Sequence, residues 1–310
     1  MKYIKLSNTD LSVSNIIMGN MRLNELSKNE AEILIKTALD NGINFFDHAD
    51  VYGSGECETL FAQAIGMNPT IREKMLLQGK CGIVKKNGFA YFDFSKEYIL
   101  YATDQILKRL NTEYLDTLLL HRPDSLVEPE EVAEAFDILQ KSGKVRHFGV
   151  SNQNPSQIRF LQRSVNQKLV ANQLQFSVAH SLMVDVGLTV NMTIPQSVSR
   201  EGGILDYCRE NNITIQAWSP LQKGFFEGTF IGDKGKYAKL NETLERIGKK
   251  YSVPAATIAI AWITRHPANI QVVTGTISPK HLTEACLASE LRLEKEEWYE
   301  IYAAAGNMIP

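Results

Sequence analysis

Short apolar runs rich in β-branched and aromatic residues alternate with longer amphipathic runs along the whole chain. The apolar runs have the length and composition of buried strands, whereas the amphipathic runs have the apolar spacing of helices. The predicted strands are residues 15–18, 44–46, 75–78, 115–120, 145–150, 169–176, 213–217 and 270–273. The helices predicted to follow them are residues 28–40, 56–65, 96–110, 128–141, 155–163, 204–211, 237–251 and 281–290. The pattern therefore predicts eight strand–helix units.

Alternation of strands with helices is typical of a parallel sheet, and eight such units in 310 residues predict a closed (β/α)8 TIM barrel. Residues 1–15 predict an N-terminal β-hairpin that turns at Asn8-Thr9-Asp10, and residues 295–304 predict an extra C-terminal helix. No linker interrupts the series, so residues 1–310 are predicted to form a single domain. A Rossmann fold is disfavoured because Gly53-Ser54-Gly55 lacks the third glycine of its phosphate-binding motif.

The composition is that of an ordinary soluble globular protein, with 44% hydrophobic and 22% charged residues. The net charge of -2 gives no reason to expect a nucleic-acid or membrane partner. No apolar run is long enough to span a membrane, and the N-terminus lacks the apolar segment of a signal peptide. The four cysteines show neither a disulfide framework nor a zinc pattern. These features predict a cytoplasmic protein. Nothing in the composition argues for an obligate subunit interface, so a monomer or a weak homo-oligomer is compatible with it.

Polar side chains follow most of the predicted strands at the end where barrel enzymes place their active sites. Asp47 ends the second strand and Tyr52 lies in the loop after it, Lys80 ends the third strand, and His121 ends the fourth. The fifth strand ends in Ser151 and Asn152, the sixth carries Asn172 and Gln173, and the seventh ends in Trp218, Ser219 and Pro220. The sequence therefore predicts one polar rim.

Asp47, Tyr52, Lys80 and His121 form a candidate catalytic group. A lysine directly after an apolar strand is costly unless its charge is paired, and Asp47 can supply the partner. An ammonium beside Tyr52 is expected to lower the pKa of the phenol and make it a general acid near neutral pH. Each residue taken singly also has a structural interpretation. Asp47 could cap a helix or form a structural ion pair, and Tyr52 could be a packed loop aromatic. Lys80 could extend to solvent, and His121 could simply terminate a strand. Together on neighbouring strand ends they predict catalytic machinery.

The sequence resembles the aldo-keto reductase superfamily in stretches that occur in the family's order along nearly the whole chain. These stretches are FDHADVYG (46–53), GKCG (79–82), HRPD (121–124), GKVRHFGVSN (143–152), NQ (172–173) and AWSPL (217–221). The HRPD and GKVRHFGVSN stretches are similar to the bacterial YdhF-type branch. The resemblance implies a (β/α)8 barrel that reduces an aldehyde or ketone with NADP(H). It implies that Tyr52 donates the proton, Lys80 tunes it, Asp47 holds Lys80 and His121 orients the carbonyl.

The resemblance also implies a set of cofactor-binding residues. Ser151, Asn152 and Gln173 would hold the nicotinamide carboxamide, and Trp218 would stack on its ring where many members have tyrosine. The remaining residues expected to contact the cofactor are Gly19, Asn20, Met21, Asp47, Ser219, Pro220, Leu221, Lys223, Gly224, Gly275, Thr276, Ser278, Lys280 and His281. NADP is expected on family grounds, but NAD is not excluded, because Ile277 and His281 stand where the family often has arginines.

Two alternatives from other classes stay open at this point. A metal-dependent barrel hydrolase would draw on Asp47, His48, Asp50, His121 and His180, although no closely paired histidines occur on a strand and no metal site is predicted. A regulatory subunit that senses nicotinamide redox state would keep the same barrel without turnover. The physiological substrate cannot be read, because its pocket would be formed by loops at residues 178–201 and 222–236.

Overall fold

The structure is a computed structural model that describes all residues, 1–310. Its strands, in chain order, are β1 (Tyr3–Lys5), β2 (Ser12–Ser14), β3 (Ile16–Gly19), β4 (Phe45–Asp47), β5 (Leu76–Cys81), β6 (Ile83–Lys86), β7 (Phe89–Phe92), β8 (Leu115–Leu120), β9 (Val145–Ser151), β10 (Leu169–Gln175), β11 (Thr214–Trp218) and β12 (Gln271–Thr274).

The α-helices are α1 (Lys28–Asp40), α2 (Glu56–Ile65), α3 (Pro69–Arg72), α4 (Lys96–Leu110), α5 (Pro129–Lys141), α6 (Pro155–Leu161), α7 (Leu182–Leu188), α8 (Ile204–Glu210), α9 (Ala238–Tyr251), α10 (Ala255–Thr264), α11 (Pro279–Leu287) and α12 (Lys295–Ala304). Local sequence explains several helix starts. Ser27 caps α1 and forms a capping box with Glu30, and Asn154 does the same for α6 with Gln157. No helix is both long and apolar enough to cross a membrane.

Eight parallel strands close into a barrel in the order β10-β11-β12-β3-β4-β5-β8-β9. The helices surround this barrel, which confirms the predicted (β/α)8 architecture. The register places Asp47 of β4 opposite Gln78 of β5, and Lys80 of β5 opposite Leu119 of β8. Because all eight strands run the same way, their carboxyl ends meet on one rim, and the predicted catalytic residues come from that rim.

The N-terminal hairpin β1–β2 is confirmed, with Tyr3 paired to Ser14 and the chain turning between them. Leu6 and Val13 from this hairpin are completely buried with apolar side chains of the barrel strands. Asn8 Nδ2 in the turn donates to the carbonyl of Asn212, which lies just before β11 (2.9 Å). The hairpin therefore closes the amino end of the barrel, opposite the candidate site.

Four elements were not predicted: the β6–β7 hairpin and helices α3, α7 and α10. The hairpin carries a turn signal in Asn87-Gly88, both with positive φ (52° and 76°), as a tight hairpin turn requires. Helix α10, with the sequence AATIAIAWIT, is almost entirely apolar and mostly buried, so it shows no amphipathic period to recognise. Helix α3 spans four residues and α7 seven, which gives the periodicity little length in which to appear.

Candidate active site

Asp47 and Lys80 form a buried ion pair at the carboxyl ends of neighbouring strands β4 and β5. The Lys80 Nζ lies 2.5 Å from Asp47 Oδ1 and 2.6 Å from Oδ2. Asp47 is 1% exposed and Lys80 0%, so each charge depends on the other for compensation. Burial lowers the pKa of Lys80, and the charge of Asp47 opposes that shift. The pairing predicted from the strand ends is therefore present.

Side-chain amides inside the barrel fix the orientation of Asp47. Its Oδ1 accepts from Gln78 Nε2 (2.7 Å) and from Gln173 Nε2 (3.0 Å). Gln78 and Gln173 in turn donate to Gln216 Oε1 at 2.9 and 3.2 Å, and Gln216 donates to Gln271 Oε1 at 3.1 Å. The carboxylate is thus held by strands from several sides of the barrel as well as by Lys80.

Tyr52 lies in a 3-10 turn, Tyr52–Gly55, that follows β4. Its ring meets the His121 ring edge-on, with centroids 5.8 Å apart, and the Lys80 Nζ lies 4.9 Å from its centroid. The expectation of a lowered pKa is wrong: burial, and next the charge of Asp47, raise the pKa of Tyr52 well above its ordinary value. The ammonium is offset by its own carboxylate partner, so desolvation dominates. The phenol therefore stays protonated at neutral pH, as a proton donor must.

His121 directly follows β8, and its backbone N–H donates to the Cys81 carbonyl on the neighbouring strand (2.9 Å). Its Nδ1 is buried without a hydrogen-bond partner. Burial, and then the charges of Lys80 and Arg122, hold the pKa of His121 well below its ordinary value. The imidazole is therefore neutral at pH 7 and can donate one N–H without carrying charge.

The residues expected at the nicotinamide lie together in one hydrogen-bonded group beside His121. Asn152 Nδ2 donates to Ser151 Oγ (2.7 Å) and to the His121 carbonyl (3.3 Å). Ser151 Oγ donates to the Gln173 carbonyl (2.9 Å), and Trp218 Nε1 donates to Asn152 Oδ1 (3.0 Å). Asn152 has a φ of 59°, a left-handed conformation that asparagine tolerates. Strands β9 and β11 therefore bring the side chains of Ser151, Asn152 and Trp218 to one place, whereas Gln173 of β10 contributes its backbone carbonyl and directs its side chain to Asp47.

Ser219, Pro220, Leu221, Lys223 and Gly224 lie in the loop after β11. The backbone N–H of Lys223 donates to the Gly228 carbonyl (3.0 Å), and its side chain pairs with Asp233 further along the loop. The loop is thus closed on itself, and Phe225 at its tip packs edge-on against the Trp218 ring.

Gly19, Asn20 and Met21 follow β3 on the same rim. A Cβ on Gly19 would lie 2.9 Å from Val273 Cγ1 and 3.0 Å from the Thr274 carbonyl oxygen, so only glycine fits there. Asn20 is buried, donates through Nδ2 to the Asp47 carbonyl (3.1 Å), and leaves its Oδ1 without a partner. Asn20 therefore presents a free acceptor beside β4, whereas the side chain of Met21 is exposed.

The residues expected at the adenine end surround the start of α11. Ser278 caps this helix by accepting from the His281 N–H (3.4 Å), and Lys280 is solvent-exposed, 3.9 Å from Glu284. Gly275 and Thr276 lie between β12 and Ser278. The carbonyl of Gly275 accepts from the Arg22 side chain, with Nε at 3.0 Å. A basic side chain that was not predicted thus lies here, although Ile277 and His281 replace the family's arginines.

Several site residues were missed from the sequence. Gln78, Gln216 and Gln271 each interrupt an apolar strand with a long polar side chain, which is a readable signal of a polar barrel interior. Arg122 follows the predicted catalytic histidine directly. No sequence pattern marked Arg22 as a site residue, because only the fold brings the loop after β3 to Gly275.

No group of three or more His, Cys, Asp or Glu side chains in the chain has a geometry that could hold a metal ion. Among the residues considered for a metal-dependent hydrolase, Asp47 is engaged by Lys80 and the neighbouring His48 packs edge-on against Phe61, with ring centroids 4.6 Å apart. The structure therefore lends no support to that alternative.

Comparison with known proteins matches this chain to one family over most of its length. The model of the Aldo/keto reductase family matches residues 15–305. The uncharacterized oxidoreductase YcsN of Bacillus subtilis is 37% identical, over 97% of this chain and 97% of that protein. The oxidoreductase YdhF of Escherichia coli is 31% identical, over 96% of this chain and 95% of that protein. A crystal structure of an aldo/keto reductase from Klebsiella pneumoniae in complex with NADP and acetate has a TM-score of 0.75 at 22% identity, covering 96% of this chain and 94% of that one.

Proposed function

The chain belongs to the aldo/keto reductase family, and from that premise and the geometry of its rim we propose that it reduces an aldehyde or ketone to an alcohol with NADPH. The observation that carries the proposal is the grouping of Tyr52, His121 and the Asp47–Lys80 ion pair on neighbouring strand ends. These residues are the catalytic residues of the proposal.

The residues on the rim fit a nicotinamide cofactor. Asn152 and Ser151 offer an amide and a hydroxyl group that a carboxamide can pair with, and Trp218 offers an aromatic face beside them. The Nε2 of Gln173, by contrast, donates to Asp47 and Gln216. At the other end, the first turn of α11 with Ser278 and Lys280 suits a phosphate group. When bound, NADPH would supply the hydride that reduces the carbonyl carbon.

The protein's own groups act on the carbonyl oxygen, which gathers negative charge as the carbon is reduced. Tyr52 and neutral His121 donate hydrogen bonds to that oxygen, and these bonds strengthen as the charge develops. The Tyr52 hydroxyl then gives up its proton to form the alcohol. Lys80 stabilises the phenolate left behind, and Asp47 keeps the ammonium in place.

The test compares wild type with Tyr52→Phe and with the control Tyr101→Phe, whose side chain is 62% exposed on α4. NADPH binding would be titrated by tryptophan fluorescence, and turnover measured on a panel of aldehydes and ketones. We expect Tyr52→Phe to bind NADPH normally but to lose activity by about 100-fold or more, since a general acid typically contributes that much. The control should be unaffected.

Three results would contradict the proposal in different ways. An active Tyr52→Phe variant would remove the proton-donor role. NADPH binding without turnover of any carbonyl by wild type would favour a redox-sensing role. Binding of NADH but not NADPH would overturn the choice of cofactor alone.

A further inference from the structure

Arg122 is a half-buried arginine that forms neither a salt bridge nor a side-chain hydrogen bond. Every other arginine that is buried or half-buried has an acceptor, either a carboxylate or a backbone carbonyl; these are Arg72, Arg109 and Arg265. A guanidinium offers five N–H donors, and those of Arg122 are half-buried but still reached by solvent, so they are available to an incoming acceptor. Arg122 therefore differs from the other three in keeping its donors free for a ligand.

Two aromatic rings hold this guanidinium in place. Its central carbon lies 5.4 Å from the Trp218 ring centroid and 5.3 Å from the Phe225 ring centroid. Trp218 and Phe225 are themselves packed edge-on, with centroids 6.2 Å apart. Aromatic faces orient an arginine without using any of its N–H groups. The side chain is thus positioned while its donors stay free.

The same guanidinium lies close to the reacting groups. Arg122 follows His121 directly in sequence, and its charge contributes to the lowered pKa of His121. It also acts against the raised pKa of Tyr52, so its field reaches the phenol. The contacts agree: Trp218, which flanks Arg122, donates to Asn152 Oδ1 (3.0 Å), and Asn152 donates to the His121 carbonyl (3.3 Å). A group bound to Arg122 would therefore sit beside a carbonyl bound at Tyr52 and His121.

No acidic side chain nearby neutralises Arg122. Asp124, two residues on, accepts the backbone N–H groups of Phe94 (3.0 Å) and Leu126 (2.8 Å). Asp47 is occupied by Lys80. The mouth of the site therefore keeps one uncompensated positive charge.

We propose that Arg122 binds an anionic group of the substrate, so that the substrate is a carbonyl compound that carries a carboxylate or a phosphate. Both groups match the planar fork of a guanidinium, and both accept charge-assisted hydrogen bonds. The proposal rests on the proposed reductase function for the position of the carbonyl. It makes Arg122 a specificity-determining residue rather than a proton donor.

The first experiment measures kcat/KM with matched pairs of aldehydes and NADPH. The carboxylate arm compares 4-oxobutanoate with butanal, and the phosphate arm compares glyceraldehyde 3-phosphate with glyceraldehyde. The variants are Arg122→Met and, as the control, Arg163→Met, which removes the same charge from an exposed position after α6. Helix ends of this kind lie at the amino end of a barrel, away from the rim.

We expect wild type to prefer at least one anionic aldehyde over its neutral partner. Arg122→Met should lower kcat/KM for that aldehyde by about 10- to 100-fold, mainly through KM, while the neutral partner changes by less than about threefold. Arg163→Met should match wild type on both. Which arm responds decides between carboxylate and phosphate. Equal losses on charged and neutral aldehydes, or weakened NADPH binding, would overturn the proposal, because Arg122 would then serve the fold or the cofactor.

A second experiment does not depend on turnover and so separates failure of this proposal from failure of the reductase function. Benzoate, inorganic phosphate and the neutral benzamide would be titrated against wild type and Arg122→Met, following tryptophan fluorescence. Trp218 contacts Arg122, so occupation of the site should change its emission. We expect a saturable response to benzoate or phosphate that benzamide lacks and that Arg122→Met abolishes. A response retained in Arg122→Met, or absent from wild type, would refute anion binding even if the enzyme reduces neutral aldehydes.

Discussion

Burial decides the protonation of individual side chains around the candidate site. Desolvation raises the pKa of Tyr52 and lowers the pKa of His121, so that both groups are neutral hydrogen-bond donors at pH 7. The same effect reaches residues outside the proposed chemistry. Burial, with the charge of Lys80, lowers the pKa of the fully buried His48 to about 3, whereas burial raises the pKa of Asp50 to about 7.

His48 should make stability depend on pH. The unfolded chain protonates this histidine near its ordinary pKa of about 6.5, but the folded protein does so only near pH 3. Its contribution is therefore present above about pH 6.5 and is lost as pH falls towards 3. Against a His48→Leu variant, wild type should lose about 2 kcal/mol of unfolding free energy between pH 7 and pH 5.

Urea unfolding of both proteins at pH 7, 6 and 5 measures this difference. The comparison between variants matters, because the raised pKa of Asp50 gives a pH dependence of opposite sign in wild type and variant alike. A difference in unfolding free energy that stays constant from pH 7 to pH 5 would show that His48 titrates normally in the folded state.

Among the elements of the fold, the close approach of neighbouring strands determines the geometry of the barrel. Glycines at interior positions let strands and side chains approach where a methyl group would not fit. A Cβ on Gly149 of β9 would lie 2.6 Å from Leu119 Cδ2 and 2.7 Å from the Ala171 carbonyl oxygen. The β9–β10 pairing also shifts register between Leu169 and Asn172. This approach determines where Ser151 and Asn152 emerge on the rim.

Gly149→Ala should therefore destabilise the protein, by about 1–3 kcal/mol, because the backbone of β10 cannot move aside freely. Gly187→Ala in α7 is the control, since nothing lies within 4 Å of the added Cβ. The control should be neutral or slightly stabilising, because alanine favours helices. Thermal unfolding of both variants measures the effect. Equal melting temperatures for the two variants would show that the strands can adjust.

The two ends of the barrel differ in what they contribute to the whole molecule: packing at the amino end stabilises the fold, and the candidate site lies at the carboxyl end. The N-terminal hairpin plugs the amino end through Leu6 and Val13, which are packed in an apolar cluster inside the barrel. The candidate site occupies the opposite rim. Changes at the plug should therefore affect folding without altering the site directly.

Leu6→Ala should lower the free energy of unfolding by about 2–5 kcal/mol, because it leaves a cavity at a fully buried position. Leu126→Ala, at a side chain that is 87% exposed, should change it by less than about 0.5 kcal/mol. Below its melting temperature, Leu6→Ala should bind NADPH with the affinity of wild type. Denaturant unfolding and fluorescence titration check the two parts. A loss of NADPH affinity together with stability would show that the ends are coupled.

The pattern of apolar positions was enough to predict the barrel, its hairpin and its last helix, because strand and helix periods are local properties of the chain. Helix α10 was not predicted, because it is apolar and buried on nearly all sides and so lacks the alternation of apolar and polar positions that marks a helix. Polar residues at strand ends likewise predicted that Asp47, Tyr52, Lys80 and His121 lie together, because a parallel barrel gathers those ends on one rim. The roles of these residues, the single domain and the oligomeric state remain predictions.

Only the tertiary structure decided the electrostatics of the site. The pKa of Tyr52 moved in the direction opposite to the prediction, because desolvation by neighbours from other strands outweighs one nearby ammonium that is already paired. Gln78 contacts Gln216 across 138 positions of the chain, a distance over which no local pattern carries information. The free donors of Arg122 were equally unreadable, because the absence of a partner depends on every segment that packs around it. The sequence placed the chemical groups, and packing determined their charge, their partners and what they are free to bind.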